Sequence, residues 1–155
     1  MMMNLSSNVI KLLAGKTLAT AESCTGGGIG AALTAVPGSS SIYKGGIISY
    51  TNCVKENLLG VPGAMLEKYG AVSQPVAQVM AEGVRKALQA DVAVSVTGLA
   101  GPGGDEFGNP VGTVFIGYAD VIKSYAKEYH FSGEREAVRN QAIRAALQII
   151  LEENK

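Results

Sequence analysis

Apolar residues recur at two different spacings along the chain, and the two spacings predict helices and strands in alternation. Helical spacing predicts a helix at residues 8–13 that Gly15 ends. A second helix is predicted to begin at Ser73, with Pro75 tolerated in its first turn. A third is predicted from residues 132–133 onward, where acidic residues favour the positive end of the helix dipole.

Short runs rich in β-branched and small residues lie between these helices and predict strands. They are residues 17–21, 46–50, 92–96 and 112–118, followed by residues 124–131, which alternate loosely and are predicted to form a hairpin with the preceding strand. Strands separated by helices predict an α/β fold, an α+β sandwich with a mixed β-sheet and helices packed on it. No linker, repeat or low-complexity tract interrupts the pattern, so we expect a single domain over residues 1–155.

Composition narrows the possible functions without choosing one. Apolar residues make up 47% of the chain and charged residues 17%, which excludes disorder. Thirteen basic residues balance thirteen acidic ones, so we expect no nucleic-acid partner. Cys24, Cys53 and His130 are too few for a disulfide scaffold or a zinc site, and we expect no metal. No stretch reaches the roughly 18 apolar residues of a membrane span and no signal-like segment is present, so we expect no membrane partner and a cytoplasmic location.

The segment after the first predicted strand is the first candidate for chemistry. Hydroxyl residues at positions 23 and 25 precede three glycines, Gly26 to Gly28, at the predicted start of a helix. Free backbone N–H groups at such a point suit a phosphate, a carboxylate or an oxyanion. The alternative is a helix cap with close helix packing. The glycines are contiguous and no lysine follows, unlike a dinucleotide-binding or P-loop motif.

Two further segments carry polar or glycine-rich patterns near strand ends. A serine-rich turn precedes the strand at 46–50, and Tyr50, Asn52 and Lys55 follow it. A serine hydroxyl with a lysine of lowered pKa can perform nucleophilic catalysis without histidine, although a serine-rich turn is more often only a turn. The strand at 92–96 opens into a long glycine-rich loop, which is typical of a pocket wall.

Several motifs in one order are more specific than any of them alone. They are residues 21–27, 37–40, 50–52 with Lys55, 70–73, 97–102, 110–113, and 131–133 with Arg135 and Arg139. Together they resemble the CinA C-terminal domain family, which includes the stand-alone nicotinamide mononucleotide amidases. The resemblance extends from about Leu13 to the last helix. Larger CinA proteins carry a molybdopterin-binding-like domain ahead of this one, and we expect no activity of that domain here.

The resemblance implies hydrolysis of the carboxamide of nicotinamide mononucleotide to the carboxylate, with release of ammonia. It implies a Ser/Lys dyad that needs no metal or organic cofactor. The matching positions are Ser40 and Lys55, with Tyr50 nearby as a possible proton relay, and Ser23 is the competing nucleophile. We favour Ser40 here, because Ser40, Tyr50 and Lys55 flank the same predicted strand.

The resemblance also implies a set of substrate-binding residues. Backbone N–H groups and hydroxyls near the first glycine segment or near the end of the strand at 92–96 would stabilise the oxyanion, and Arg135 or Arg139 would bind the 5′-phosphate. The expected binding residues are Thr25, Gly26, Gly27, Thr97, Gly98, Gly101, Arg135 and Arg139.

Two positions depart from the family pattern, and two other functions remain open. Gly28 is a third glycine where a larger residue is often present, and Asn109 stands before Pro110 where we associate a lysine with the family. The alternatives are a non-catalytic nucleotide-binding module and a competence- or damage-related interaction module of the same fold. We expect the nucleotide as the small-molecule partner and a homo-oligomer as the assembly.

Overall fold

One mixed sheet of five strands lies between two layers of helices in the computed structural model, which describes residues 2–155. The strands are β1 (Leu18–Glu22), β2 (Tyr43–Ile48), β3 (Val92–Gly98), β4 (Thr113–Ala119) and β5 (Ser124–His130). The helices are α1 (Met2–Leu12), α2 (Gly28–Thr34), α3 (Asn52–Leu59), α4 (Gly63–Tyr69), α5 (Gln74–Leu88) and α6 (Arg135–Glu153), with a 3₁₀ turn at Ser39–Ser41.

The strand order is β2-β1-β3-β4-β5, and its pairing decides where the polar strand ends meet. Strands β2, β1 and β3 run parallel, whereas β3, β4 and β5 are antiparallel neighbours. Glu22 at the end of β1 pairs with Ile48 of β2 and with Val96 of β3. The carboxyl ends of the three parallel strands therefore lie at one edge of the sheet, which is where open α/β sheets bind ligands.

Each face of the sheet is covered by its own set of helices. Helices α1, α2 and α6 pack on one face, and α3, α4 and α5 pack on the other. Strand β1 is buried along its whole length, as a strand covered on both faces must be. Gly28 at the start of α2 lies against Ile143 of α6, where a side chain would overlap the isoleucine. The third glycine of the first segment therefore permits close contact between these two helices.

The predicted fold class is confirmed, and most predicted elements are present. All five strands form, although β2 begins at Tyr43 rather than at residue 46, and α1 begins at Met2 rather than at residue 8. The predictions did not include α3 and α4, which are short and lie between glycines and prolines without a long apolar stripe. The single domain over 1–155 stays a prediction, and Met1 lies outside the described residues.

Two features of the described residues bear on the predicted cellular location and assembly. Within residues 2–155, no helix combines the length and the apolar character needed to cross a bilayer. Val121 and Ile122 are exposed in the turn between β4 and β5, at 72% and 88% of their full accessibility. The cytoplasmic location and the homo-oligomer predicted from the sequence remain predictions.

The packing of α5 on α3 yields a stability prediction. A methyl group at Gly83 would overlap the carbonyl oxygen of Leu59 at the end of α3. We expect Gly83→Ala to lower the free energy of unfolding by about 2 kcal/mol, because overpacking outweighs the gain of about 1 kcal/mol in helix propensity. Urea unfolding measures the change. Gly103→Ala, which meets no atom within 4 Å, is the matched control, and equal stability of the two variants would contradict the prediction.

Candidate active site

The parallel strands bring three hydroxyl residues together at the carboxyl edge of the sheet. Ser23 directly follows β1, Ser49 directly follows β2, and Thr97 lies near the end of β3. The backbone pairing continues past the strand ends, since the Ser23 N–H donates to the Val96 carbonyl at 3.0 Å and the Ser49 N–H donates to the Glu22 carbonyl at 2.7 Å. These bonds fix the positions of Ser23 and Ser49 relative to each other.

Lys55 reaches this edge from the first half of α3 and is buried there, at 1% of its full accessibility. Its Nζ donates to Ser23 Oγ at 3.0 Å and to the Ser49 carbonyl oxygen at 2.6 Å. Ser23 is 8% exposed. A lysine amine and a serine hydroxyl are therefore in hydrogen-bond contact, with little water around them.

Burial alters the acid–base chemistry of this lysine. Removal of the ammonium group from water lowers the pKa of Lys55 from 10.5 to about 8. Near neutral pH, roughly a tenth of the molecules then carry a neutral amine with a free lone pair. An amine of this kind can accept the proton of Ser23 Oγ, which is the arrangement that activates a serine nucleophile without histidine.

The turn after Ser23 is held from beneath by the buried carboxylate of Glu22. This carboxylate accepts hydrogen bonds from Thr25 Oγ1 at 2.6 Å, from the Ile29 N–H at 2.9 Å and from the Gly30 N–H at 3.0 Å. It thereby satisfies free N–H groups in the first turn of α2. The carboxylate is fully engaged in positioning the turn and does not line the cavity formed around Ser23 and Lys55.

Arg139 of α6 holds the same turn from the other side. Its Nε donates to the Cys24 carbonyl at 3.0 Å, and its Nη2 donates to the Thr25 carbonyl at 3.2 Å. Among residues 2–155, no other residue accepts a hydrogen bond from the N–H of Cys24 or of Thr25. Cys24 lines the same cavity as Ser23 and Lys55, so its N–H group is the candidate donor for an oxyanion.

A cavity of about 310 Å³, here called the active-site cavity, opens above the Ser23–Lys55 pair. Its volume falls within the size range of small-molecule sites. At its rim, Arg135 donates from Nη1 to the Gly101 carbonyl at 2.6 Å and from Nη2 to Tyr50 Oη at 3.1 Å. The guanidinium group is exposed, so it provides a positive charge at the mouth of the cavity.

The structure brings together seven of the twelve predicted site residues. Those that line the cavity are Ser23, Lys55, Tyr50, Thr97, Gly98, Gly101 and Arg135. Tyr50 does so with its hydroxyl bonded to Arg135 rather than to Lys55, so the predicted relay from Lys55 through Tyr50 is not supported. The Thr97 hydroxyl donates to the Ala71 carbonyl at 2.8 Å and so supports the cavity wall.

The expectation that Ser40 lies beside Lys55 is wrong. Ser40 is exposed in the 3₁₀ turn before β2, whereas Lys55 lies beyond the opposite end of that strand. A strand of six residues spans about 20 Å, so flanking the same strand places the two residues at opposite edges of the sheet. Ser23, the competing nucleophile, is the serine in contact with Lys55.

Four of the predicted binding residues shape the turn instead of lining the cavity. Thr25 uses its hydroxyl on Glu22, and Arg139 uses its guanidinium on two backbone carbonyls. Gly26 and Gly27 adopt φ values of +59° and +101°, which favour glycine, and the Gly26 N–H already donates to the Ser23 carbonyl. We therefore assign these four residues to support of the turn.

Some residues of the site were missed by the sequence analysis. Ser49 contributes only a backbone oxygen, so its side chain gave no signal. Glu22 belongs to the first motif. The signal that could have identified it is the position of a charged residue at the end of an apolar strand. Asn109 was noted only as a departure, yet its amide donates to the Val72 carbonyl at 3.2 Å and to Asp105 at 2.8 Å, which ties the glycine-rich loop to the cavity wall.

Comparison with known proteins shows the family of this chain. The family model described as CinA C-terminal domain matches residues 3–154. The chain belongs to the CinA C-terminal domain family. A solved CinA superfamily protein of Klebsiella pneumoniae 700603 superposes with a TM-score of 0.96 at 35% identity, covering 99% of this chain and 97% of that one.

Curated CinA relatives are considerably longer than this chain. A CinA-like protein of Synechococcus sp. (strain CC9902) is 55% identical over 117 residues, which cover 74% of this chain and 28% of the relative. A putative competence-damage inducible protein of Desulforamulus reducens is 48% identical over 136 residues, covering 88% of this chain and 33% of the relative. This CinA domain thus spans about a third of the length of these relatives.

The buried lysine predicts a pH-dependent stability difference. Because the folded pKa of Lys55 lies below the unfolded value of 10.5, the unfolded state binds more protons between about pH 8 and 10.5. Wild type should therefore gain about 1 kcal/mol of unfolding free energy from pH 7 to pH 9 relative to Lys55→Met. Urea titrations of both proteins at the two pH values measure this. A difference that stays constant would show that Lys55 keeps an ordinary pKa.

Proposed function

We propose that this protein is an amidase that hydrolyses the carboxamide of nicotinamide mononucleotide, producing nicotinate mononucleotide and ammonia. The observation that carries the proposal is the 3.0 Å contact between Lys55 Nζ and Ser23 Oγ in a cavity of small-molecule size. We assign Ser23 as the nucleophile and Lys55 as the general base. Ser40, which lies at the other edge of the sheet, has no part in this mechanism.

The choice of substrate rests on the family resemblance and on the charges of the cavity. The substrate combines an anionic phosphate with a cationic pyridinium ring, and Arg135 offers a guanidinium group at the cavity mouth for the phosphate. The pyridinium ring withdraws electrons from the carboxamide and makes its carbon more electrophilic. A serine activated by an amine of moderate basicity is adequate for such an amide.

The mechanism begins with proton transfer from Ser23 Oγ to neutral Lys55, while the oxygen attacks the carboxamide carbon. The carbonyl oxygen becomes an oxyanion that accepts a hydrogen bond from the Cys24 N–H, and one such donor contributes about 3 kcal/mol to the barrier reduction. Protonated Lys55 then returns its proton to the departing nitrogen, which leaves as ammonia. Water hydrolyses the acyl-serine ester by the same route.

Residues around the dyad have supporting parts in this proposal. The hydrogen bond from Lys55 to the Ser49 carbonyl directs the amine toward Ser23. Glu22 and Arg139 hold the turn that presents the oxyanion donor. Arg135 exchanges its bonds to Tyr50 and the Gly101 carbonyl for bonds to the phosphate. No step requires a metal ion or an organic cofactor.

Alanine variants test the assignment of the nucleophile. We expect Ser23→Ala and Lys55→Ala each to lower kcat for ammonia release from nicotinamide mononucleotide by at least about 10³-fold, because each removes half of the dyad. Ser40→Ala is the matched control and should stay within twofold of wild type. Measurements in the presence of EDTA remove adventitious metal from the comparison.

Other outcomes of this assay distinguish the remaining functions. Loss of activity in Ser40→Ala with activity kept in Ser23→Ala would overturn the assignment of Ser23. Saturable binding of the mononucleotide without turnover by wild type would instead support a non-catalytic nucleotide-binding module. Neither binding nor turnover would favour a competence- or damage-related interaction module.

The lowered pKa of Lys55 predicts the pH profile of the reaction. The base must be neutral, so kcat/KM should rise about tenfold per pH unit below pH 8 and level off above it. Initial rates of ammonia release between pH 6 and pH 9.5 measure the profile. A rate that is constant or that falls over this range would exclude Lys55 as the general base.

A further inference from the structure

A second cavity of about 390 Å³, here called the side cavity, lies next to the active-site cavity. The two cavities share the walls formed by Asn52, Ala71, Val72 and Leu99. Beyond these shared walls the side cavity ends at the ring of Phe107. The side cavity, which is larger than the active-site cavity, therefore lies next to the space in which a molecule would meet Ser23.

Arg135 and the side cavity lie against different helix layers of the fold. Arg135 begins α6, which belongs to the layer with α1 and α2, whereas the side cavity is lined by Leu66 of α4, which belongs to the opposite layer. Ser23 lies between the layers, at the edge of the sheet. A substrate centred on Ser23 thus has room on two sides, one toward Arg135 and one toward Phe107.

The charges at Arg135 and in the side cavity indicate which end of a substrate each of them binds. The side cavity is lined by the acidic residues Asp105 and Glu106 and contains no basic residue among its lining groups, while its other walls are largely apolar. An anionic group is disfavoured there and favoured beside Arg135. The acyl part with the phosphate therefore lies toward Arg135, and the group on the amide nitrogen lies toward the side cavity.

The wall at the far end of the side cavity is well fixed. The ring of Phe107 packs directly on Gly70, where any side chain would overlap it, and Gly70 has a φ of +80°. The loop that carries Phe107 is anchored through Asn109 to the Val72 carbonyl, and Asp105 accepts the Phe107 N–H at 3.1 Å. The aromatic surface is consequently presented by a braced loop.

We propose that the same site also hydrolyses secondary carboxamides whose amine part is apolar or aromatic and carries no negative charge, and that Phe107 selects them. This inference rests on the proposed function, since it uses the Ser23–Lys55 pair. Ser23 Oγ bonds to the carbonyl carbon, the C–N bond breaks, and protonated Lys55 supplies the proton with which the amine leaves. Water then releases the acid. Ammonia, by contrast, makes no use of the side cavity.

The test compares three mononucleotides that differ only at the amide nitrogen: the primary carboxamide, the N-benzyl amide and the N-(3-carboxybenzyl) amide. Wild type should release benzylamine from the second, and should act at least about tenfold more slowly on the third, because its carboxylate meets Asp105 and Glu106. Phe107→Ala should lower kcat/KM for the N-benzyl amide about 5- to 10-fold through loss of ring contact. Its kcat/KM for the primary carboxamide should stay within twofold of wild type.

Tyr69→Ala is the matched control, because Tyr69 is a neighbouring, partly exposed aromatic residue that lines neither cavity. It should leave all three rates unchanged. Release of ammonia from the primary amide without release of benzylamine overturns this inference alone, as does an equal effect of Phe107→Ala on both amides or equal rates for the two benzyl amides. Failure to hydrolyse any of the three overturns the proposed function as well. Hydrolysis of the N-benzyl amide alone supports the inference and overturns the primary carboxamide as substrate.

Discussion

The site depends on one interaction, the burial of the Lys55 amine between the Ser23 hydroxyl and the Ser49 carbonyl. Holding an ammonium group away from water costs about 3 kcal/mol at neutral pH, which the rest of the fold must offset. In the proposed mechanism the same burial enables the chemistry, because it brings the pKa of the amine closer to neutral pH. Stability and reactivity are opposed at this residue, as they are at many functional sites.

The geometry around Lys55 depends in turn on the register of three parallel strands. Pairing of Glu22 with Ile48 and Val96 places the residues that follow β1 and β2 side by side. A shift of one residue would reverse the faces on which these side chains lie and separate Ser23 from Lys55. The core on both faces of β1 holds the register, so the packing of the sheet also fixes the position of Ser23.

Glu22 and Arg139 carry opposite charges and support the site without lining the active-site cavity. Glu22 binds the N–H groups at the start of α2 from within the sheet, and Arg139 binds two carbonyl groups of the same turn from α6. The turn is thereby fixed at its donors and at its acceptors, while the Cys24 N–H donates to no other residue among residues 2–155. Asn109 anchors the glycine-rich loop in a similar way, through its hydrogen bond to the Val72 carbonyl. The two walls of the site are therefore rigid for separate reasons.

Periodicity in the sequence determined the fold class, the five strands and the long helices, because these depend on local spacing of apolar residues. The motifs determined which segments meet, and they placed Lys55 and Ser23 among the candidates. Only the tertiary structure chose between Ser23 and Ser40, since strand direction and register decide which residues share an edge and neither is encoded in local spacing. The roles of Arg139 and the Ser49 carbonyl were likewise decided by long-range contacts, because a residue's hydrogen-bond partners depend on where the chain folds back upon it.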